Sequence, residues 1–198
     1  MVVASNGSMR DARGFTLIEV MVVVALLAIL AGLGTWQMQK QLLRYRANTA
    51  AGRLVLDVRK ASTIALRTNR PVTLTVNPEG CSPGYVIASS NDTYERVCFD
   101  VEYKGVVFSD SSEVNLSCDQ EEGLNYPEIP VCSLCTGTHA IRFLPNGEVI
   151  TPSAADESLV LHPVGESASF DRAVGIRNVT GKARAYKPDH AGSGWECL

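Results

Sequence analysis

Hydrophobic and polar positions follow three successive patterns along this chain. From Phe15 to Trp36 the residues are almost all apolar or small, with Glu19 the single charge among 22. As a helix rising about 1.5 Å per residue, that run would extend roughly 33 Å, enough to cross a bilayer core. From residue 37 to 70 the apolar positions thin to a stripe. Leu43, Ala47, Ala50, Leu54, Val58, Ala61 and Ala65 recur at spacings of three and four, which predicts an amphipathic helix continuing the first and packing on a sheet. Gly32 and Gly34 weaken the helix where the apolar run ends, and Asn69-Arg70-Pro71 stops it, because proline lacks the amide donor.

Beyond Pro71 the period changes to two. Val72–Val76 alternates cleanly and runs into the turn residues Asn77-Pro78-Glu79-Gly80. Further strands are expected at 85–88, 94–101, 106–108, 114–116, 140–144, 148–151, 158–162, 173–179 and 183–186. Asn146-Gly147 and Gly181 are expected to turn hairpins. Residues 118–137, rich in Pro, Cys and acids, are expected to form a long loop held by disulfides, and Gly192-Ser193-Gly194 a flexible tail. The fold class is therefore α+β, one long N-terminal helix and an antiparallel β domain over 71–198.

Charge is unevenly spread behind a net of only −3. Lys40–Arg70 holds eight basic residues against Asp57 alone, whereas Pro71–Asp171 holds three basic and sixteen acidic ones. Such asymmetry either orients subunits against one another or marks two solvated faces. All six cysteines (Cys81, Cys98, Cys118, Cys132, Cys135 and Cys197) follow the apolar run, which points to an oxidising, extracytoplasmic compartment and up to three disulfides. A Cys81–Cys98 bridge would close a hairpin-sized loop. The alternative use is zinc, with Cys118, Cys132, Cys135 and His139 as ligands, but exported thiols tend to oxidise. No metal or other cofactor is expected.

The octapeptide Arg13-Gly14-Phe15-Thr16-Leu17-Ile18-Glu19-Val20, leading into the apolar run, resembles the processing signal of type IV prepilins. An ordinary secretory signal would have a shorter apolar core and a small-residue cleavage site, and a plain anchor would not place a carboxylate one turn into the apolar helix unless it snorkels to the interface. The resemblance implies a leader over residues 1–14, shorter if translation begins at Met9. A prepilin peptidase would cut between Gly14 and Phe15 and N-methylate Phe15. Glu19 would meet the N-terminal amine of a neighbouring subunit during assembly. Residues 15–36 would serve first as a membrane span and then as a filament-core helix, and residues 37–70 would carry the helix into a periplasmic head.

Later segments narrow the resemblance. Leu54 to Val76, with Arg59, Ala61, Ala65, Asn69 and Pro71, is similar to the helix end and first strand of FimT/FimU minor pilins and of the H-type pseudopilin of type II secretion. Ile141–Gly147 resembles the F-x-x-x-G turn of that family, and Gly181-Lys182-Ala183-Arg184 its terminal G-R-x-R with Lys in place of the first Arg. The implied partners are other pilins or pseudopilins, the prepilin peptidase and an inner-membrane assembly platform. In relatives the terminal motif is linked to DNA capture, which would make Lys182, Arg184 and Lys187, beside Arg172 and Arg177, phosphate contacts. Catalysis is not expected: His139, His162 and His190 are scattered, and no metal-binding helix motif, nucleophile elbow or nucleotide loop occurs.

Overall fold

Thr16 and Asn69 bracket the first element. The computed structural model describes residues 15–109, 134–188 and 195–198, and helix α1 runs Leu17–Thr68. Asn69 takes a φ of 52°, the left-handed conformation that ends many helices and that Asn tolerates better than most residues. The chain then turns at Pro71 into its first strand, so the helix stops just short of the boundary expected at 70. Two units are distinguished, Met1–Gln39 and Lys40–Leu198, divided within α1.

The second unit is built on two five-stranded antiparallel sheets. The first has the order β3-β2-β1-β5-β6, from β1 (Val72–Val76), β2 (Gly84–Ala88), β3 (Thr93–Cys98), β5 (His139–Phe143) and β6 (Val149–Ile150). The second has the order β10-β9-β8-β7-β4, from β4 (Val106–Phe108), β7 (Glu157–Pro163), β8 (Arg172–Ile176), β9 (Ala183–Pro188) and β10 (Trp195–Cys197). Reciprocal backbone bonds between Val149 and Val179, at 3.2 and 3.1 Å, tie the edge of the first sheet to the β8–β9 turn of the second. The α+β arrangement expected from the change of period is thus present, with two sheets rather than one.

Within this unit the helical stripe is core. Ala47, Ala50, Ala51, Leu54, Val58, Ala61 and Ala65 are buried, and they share one hydrophobic cluster with Leu74, Ile87, Ile141, Phe143, Leu159, Leu161, Val174, Ile176 and Tyr186. Leu43, expected in the stripe, is only half-buried. Most of the helix side of this contact is alanine, which lets the helix backbone approach while the sheets supply the bulk.

Turns follow their local chemistry. In the β5–β6 hairpin Leu144 N–H donates to the Glu148 carbonyl at 2.8 Å, and only Gly147 of Pro145-Asn146-Gly147 has a positive φ. That is a three-residue loop with a left-handed last residue rather than a two-residue Asn-Gly turn. Gly181 turns β8 into β9 at φ 62°, and a Cβ there would lie 2.5 Å from Val149 Cγ2, so both backbone and space call for glycine.

One expectation needs correction. Residues 99–101, expected to end a strand, fall instead in a short helix, α2 (Phe99–Glu102). Phe99 N–H donates to the Pro83 carbonyl at 2.9 Å, and its buried ring meets Tyr85 and Tyr103 edge-on. Burying Phe99 and Tyr103 on one side demands a helical spacing of four, which overrides local β propensity. Beyond the expected strands, β10 pairs with β9 and Trp195 is buried. The strand expected at 114–116 and residues 192–194 lie outside the described residues.

Leu54 sits at the centre of the helical stripe with no exposed surface. Leu54→Ala should therefore lower stability by about 3 kcal/mol, the usual range for emptying a packed leucine site. A urea unfolding midpoint unchanged from that of the unsubstituted protein would contradict this packing role.

Candidate processing and assembly segment

Phe15 and Thr16 precede α1, and Thr16 is its cap. The Glu19 amide donates to Thr16 Oγ1 at 3.3 Å and to the Thr16 carbonyl at 3.1 Å, while the Val20 amide reaches the same carbonyl at 3.3 Å. Thr16-x-x-Glu19 is the Thr-x-x-Glu signature of a capping box, and it places the Glu19 carboxylate in the first turn, where unpaired amides carry partial positive charge. This signal is legible in the sequence and was missed by reading Glu19 only as a charge inside an apolar run. Glu19 is solvent-exposed. It is thus held at the helix start without being consumed by an ion pair among the described residues. Gly14 lies outside the described residues, and Phe15 is 83% exposed.

Following that cap, the side chains of the apolar segment are exposed among the described residues. Leu17, Ile18, Met21, Leu26, Leu27, Ile29 and Leu30 are all more than half exposed, and these residues occupy every side of the helix. It is the one helix among the described residues long and apolar enough to cross a membrane. A helix apolar all round is stable only in lipid or among other helices. The combination of that segment with a prepilin-type motif is consistent with membrane anchoring.

Charges on the second half of α1 are met by carboxylates of the head. Arg53 reaches Glu102 at 2.7 Å and Glu95 at 2.9 Å, and Lys60 reaches Glu95 at 2.6 Å. Tyr85 donates its hydroxyl to buried Asp57 at 2.6 Å, and Asp57 lies 3.5 Å from Arg53. Burial, with the bond to Asp57, holds the Tyr85 hydroxyl well above its usual range. Arg44 pairs with Glu166 at 2.8 Å and covers the Phe170 ring. The charge asymmetry of the sequence is thus partly spent inside the chain, an outcome that differs from both earlier alternatives.

Cys81 and Cys98 form a disulfide with their Cα atoms 5.0 Å apart, joining the turn before β2 to the end of β3. Gly84 packs against it: a Cβ there would lie 2.9 Å from Cys81 Sγ and 2.5 Å from the Val97 carbonyl. Cys135 is also disulfide-bonded, which removes it as a thiolate ligand and so overturns the zinc alternative. Leu134, beside it, is fully buried, and the Asn77 side chain donates to the Cys135 carbonyl at 3.2 Å, fixing this end of the cysteine-rich segment. Cys118 and Cys132 lie outside the described residues, and Cys197 belongs to β10. His139 contacts the Thr136 carbonyl and His162 contacts Asp171, on different sheets, and His190 is outside the described residues.

The C-terminal basic residues do not gather into a single patch. Arg177 is buried and held in an ion pair by Asp156. Lys182 is exposed on the β8–β9 turn, and Lys187 lies in β9 opposite Glu196 of β10. Arg172 and Arg184 instead line a groove of about 580 Å³ together with Arg59 of α1. No sequence pattern links Arg59 to the other two, because only the packing of α1 beside β8 and β9 brings them together.

Residues 9–35 match the prokaryotic N-terminal methylation motif, a type IV pilin-like prepilin motif that includes Gly14, Phe15 and Glu19. Comparison with curated proteins and with solved structures gives no match.

The hydrogen bond from Lys60, with Arg53 nearby, holds the Glu95 carboxyl below its usual range. A depressed folded pKa contributes stability that is complete above the unfolded value, about 4.3, and is lost as pH falls through the folded value. Glu95→Gln should therefore lower the melting temperature at pH 7 and flatten the fall in stability on acidification. Melting curves for both proteins that stay parallel from neutral to acidic pH would refute the pairing.

Proposed function

We propose that this chain is a minor pilin, a structural subunit that takes part in priming or assembling a type IV pilus rather than in catalysis. The observation that carries the reading is the N-terminal segment itself. A prepilin-type motif opens a capped helix whose apolar side chains are exposed among the described residues, and a disulfide-bonded head follows. Prepilin peptidase cuts between Gly14 and Phe15 and methylates the new amine. The helix waits in the inner membrane with the head in the periplasm, and leaves the bilayer only as neighbouring helices replace lipid around it. Glu19, presented at the helix start, meets the Phe15 amine of an adjacent subunit.

The elaborated segment around Cys118, Cys132 and Cys135 favours the pilus over the type II secretion machine, whose H-type pseudopilin is the second reading. A deletion strain decides between them: loss of surface pili with secretion intact supports the pilus, and the reverse supports the pseudopilin. DNA uptake through Lys182, Arg184 and Lys187 is a third possibility, tested by oligonucleotide binding at two salt concentrations.

Mass analysis of the mature N-terminus should find N-methylated Phe15, and Gly14→Ala should leave the leader attached. Normal processing of Gly14→Ala would remove the signal assignment. Glu19→Ala should be cut and membrane-inserted but poorly incorporated into filaments, and unimpaired assembly would count against the charge-pairing role.

A further inference from the structure

Where α1 enters the second unit, two loops lie against it. Gly105 has a φ of 90°, and a Cβ there would lie 2.5 Å from Leu43 Cδ2, so the loop after α2 rests directly on the helix. The Val164 amide donates to the Gly105 carbonyl at 2.8 Å, which sets the loop after β7 beside it. Arg46 reaches across and donates to the Lys104 carbonyl at 2.8 Å. That contact joins two cationic residues through a neutral acceptor, and among the described residues neither makes an ion pair. The nearby carboxylates are already engaged, Glu102 by Arg53 at 2.7 Å and Glu166 by Arg44 at 2.8 Å. Apolar side chains are left open on the same segments. Leu42, one turn before Arg46 on the same helix face, is 47% exposed, Tyr45 is 66% exposed and Val164 52%.

Chain connectivity says what this surface meets. Arg46 follows Trp36, the last residue of the apolar run, by ten positions within α1, about 15 Å of helix. A chain anchored through that run therefore keeps Leu42, Tyr45, Arg46 and the Lys104 loop close to the bilayer surface. Tyrosine and aliphatic side chains settle at the level of lipid headgroups, and cations close to the membrane are drawn to lipids of net negative charge. We propose that this entry end of the head, with Arg46 and Lys104 as its charged contacts, binds the headgroups of anionic phospholipids. A free phosphate would use the two cations but leave Leu42, Tyr45 and Val164 in water, whereas a lipid surface engages both. The inference rests on membrane anchoring and is independent of the choice between pilus and secretion machine. Cleavage, methylation and the Glu19 contact stand or fall separately.

The test immobilises the full chain in nonionic detergent, supplies equal amounts of phosphatidylglycerol and phosphatidylcholine, and counts the lipid retained after washing by headgroup. The unsubstituted protein should hold phosphatidylglycerol roughly tenfold over phosphatidylcholine at low salt and lose that preference at about 0.5 M salt. Arg46→Gln/Lys104→Gln should abolish the preference. Lys104→Gln alone, which keeps the carbonyl that Arg46 uses, should lower it about threefold, and carries the test if the double variant melts early. Arg67→Gln/Arg70→Gln removes the same charge at the far end of α1 and should leave the preference unchanged. The assay counts headgroups on protein already out of the bilayer, so its outcome is independent of anchoring, which membrane fractionation of the same variants reads separately. Equal retention of the two lipids by the unsubstituted protein, or the same loss in both double variants, would overturn the proposal. So would full displacement of the lipid by inorganic phosphate, which would mark a free-phosphate site instead.

Discussion

Alanine dominates the face that α1 turns to the sheets: Ala47, Ala50, Ala51, Ala61 and Ala65 are buried there, with Leu54, Val55 and Val58 the larger buried hydrophobic residues. Helix and sheets approach closely because one side of the contact is so small, and long flanking side chains can then reach across. Arg53 spans to β3 and α2, Lys60 to β3, and Arg44 to the loop before β8. The same closeness makes a buried carboxylate tolerable, since Asp57 sinks to 7% exposure only where the Tyr85 hydroxyl can donate to it. Bulkier residues in the stripe would push the helix outward and part these pairs.

The first half of α1 obeys the opposite constraint. Its side chains are as apolar as a core, yet they are exposed among the described residues. Free energy is recovered only when lipid or other helices do so, which makes the segment dependent on its surroundings in a way the head is not. Thr16 at its start accepts from the Glu19 amide, and the same short motif presents the Glu19 carboxylate at the helix start.

Much of this was legible from period and punctuation. A spacing of three and four marked the buried stripe, and strict alternation marked β1. Asn69 with Pro71 marked the helix end, and the Cys81–Cys98 spacing marked a hairpin-sized bridge. Each of these signals is local, and packing agreed with local preference. The misses share another origin. Phe99 and Tyr103 became helical because the aromatic cluster with Tyr85 needed them on one side, and Trp195–Cys197 became a strand because β9 offered an open edge.

By itself the sequence determined the kinds of elements, their order, and the presence of a capped apolar helix with one carboxylate at its start, because these depend on residues within a few turns or a single strand. Only the tertiary structure decided which charges find partners. Arg53 and Lys60 were drawn into pairs across the helix–sheet contact, and Arg59, Arg172 and Arg184 were brought to one groove from distant parts of the chain. Ion pairing depends on distances of a few ångströms between side chains, and those distances follow from how α1 is seated on the sheets rather than from spacing along the sequence.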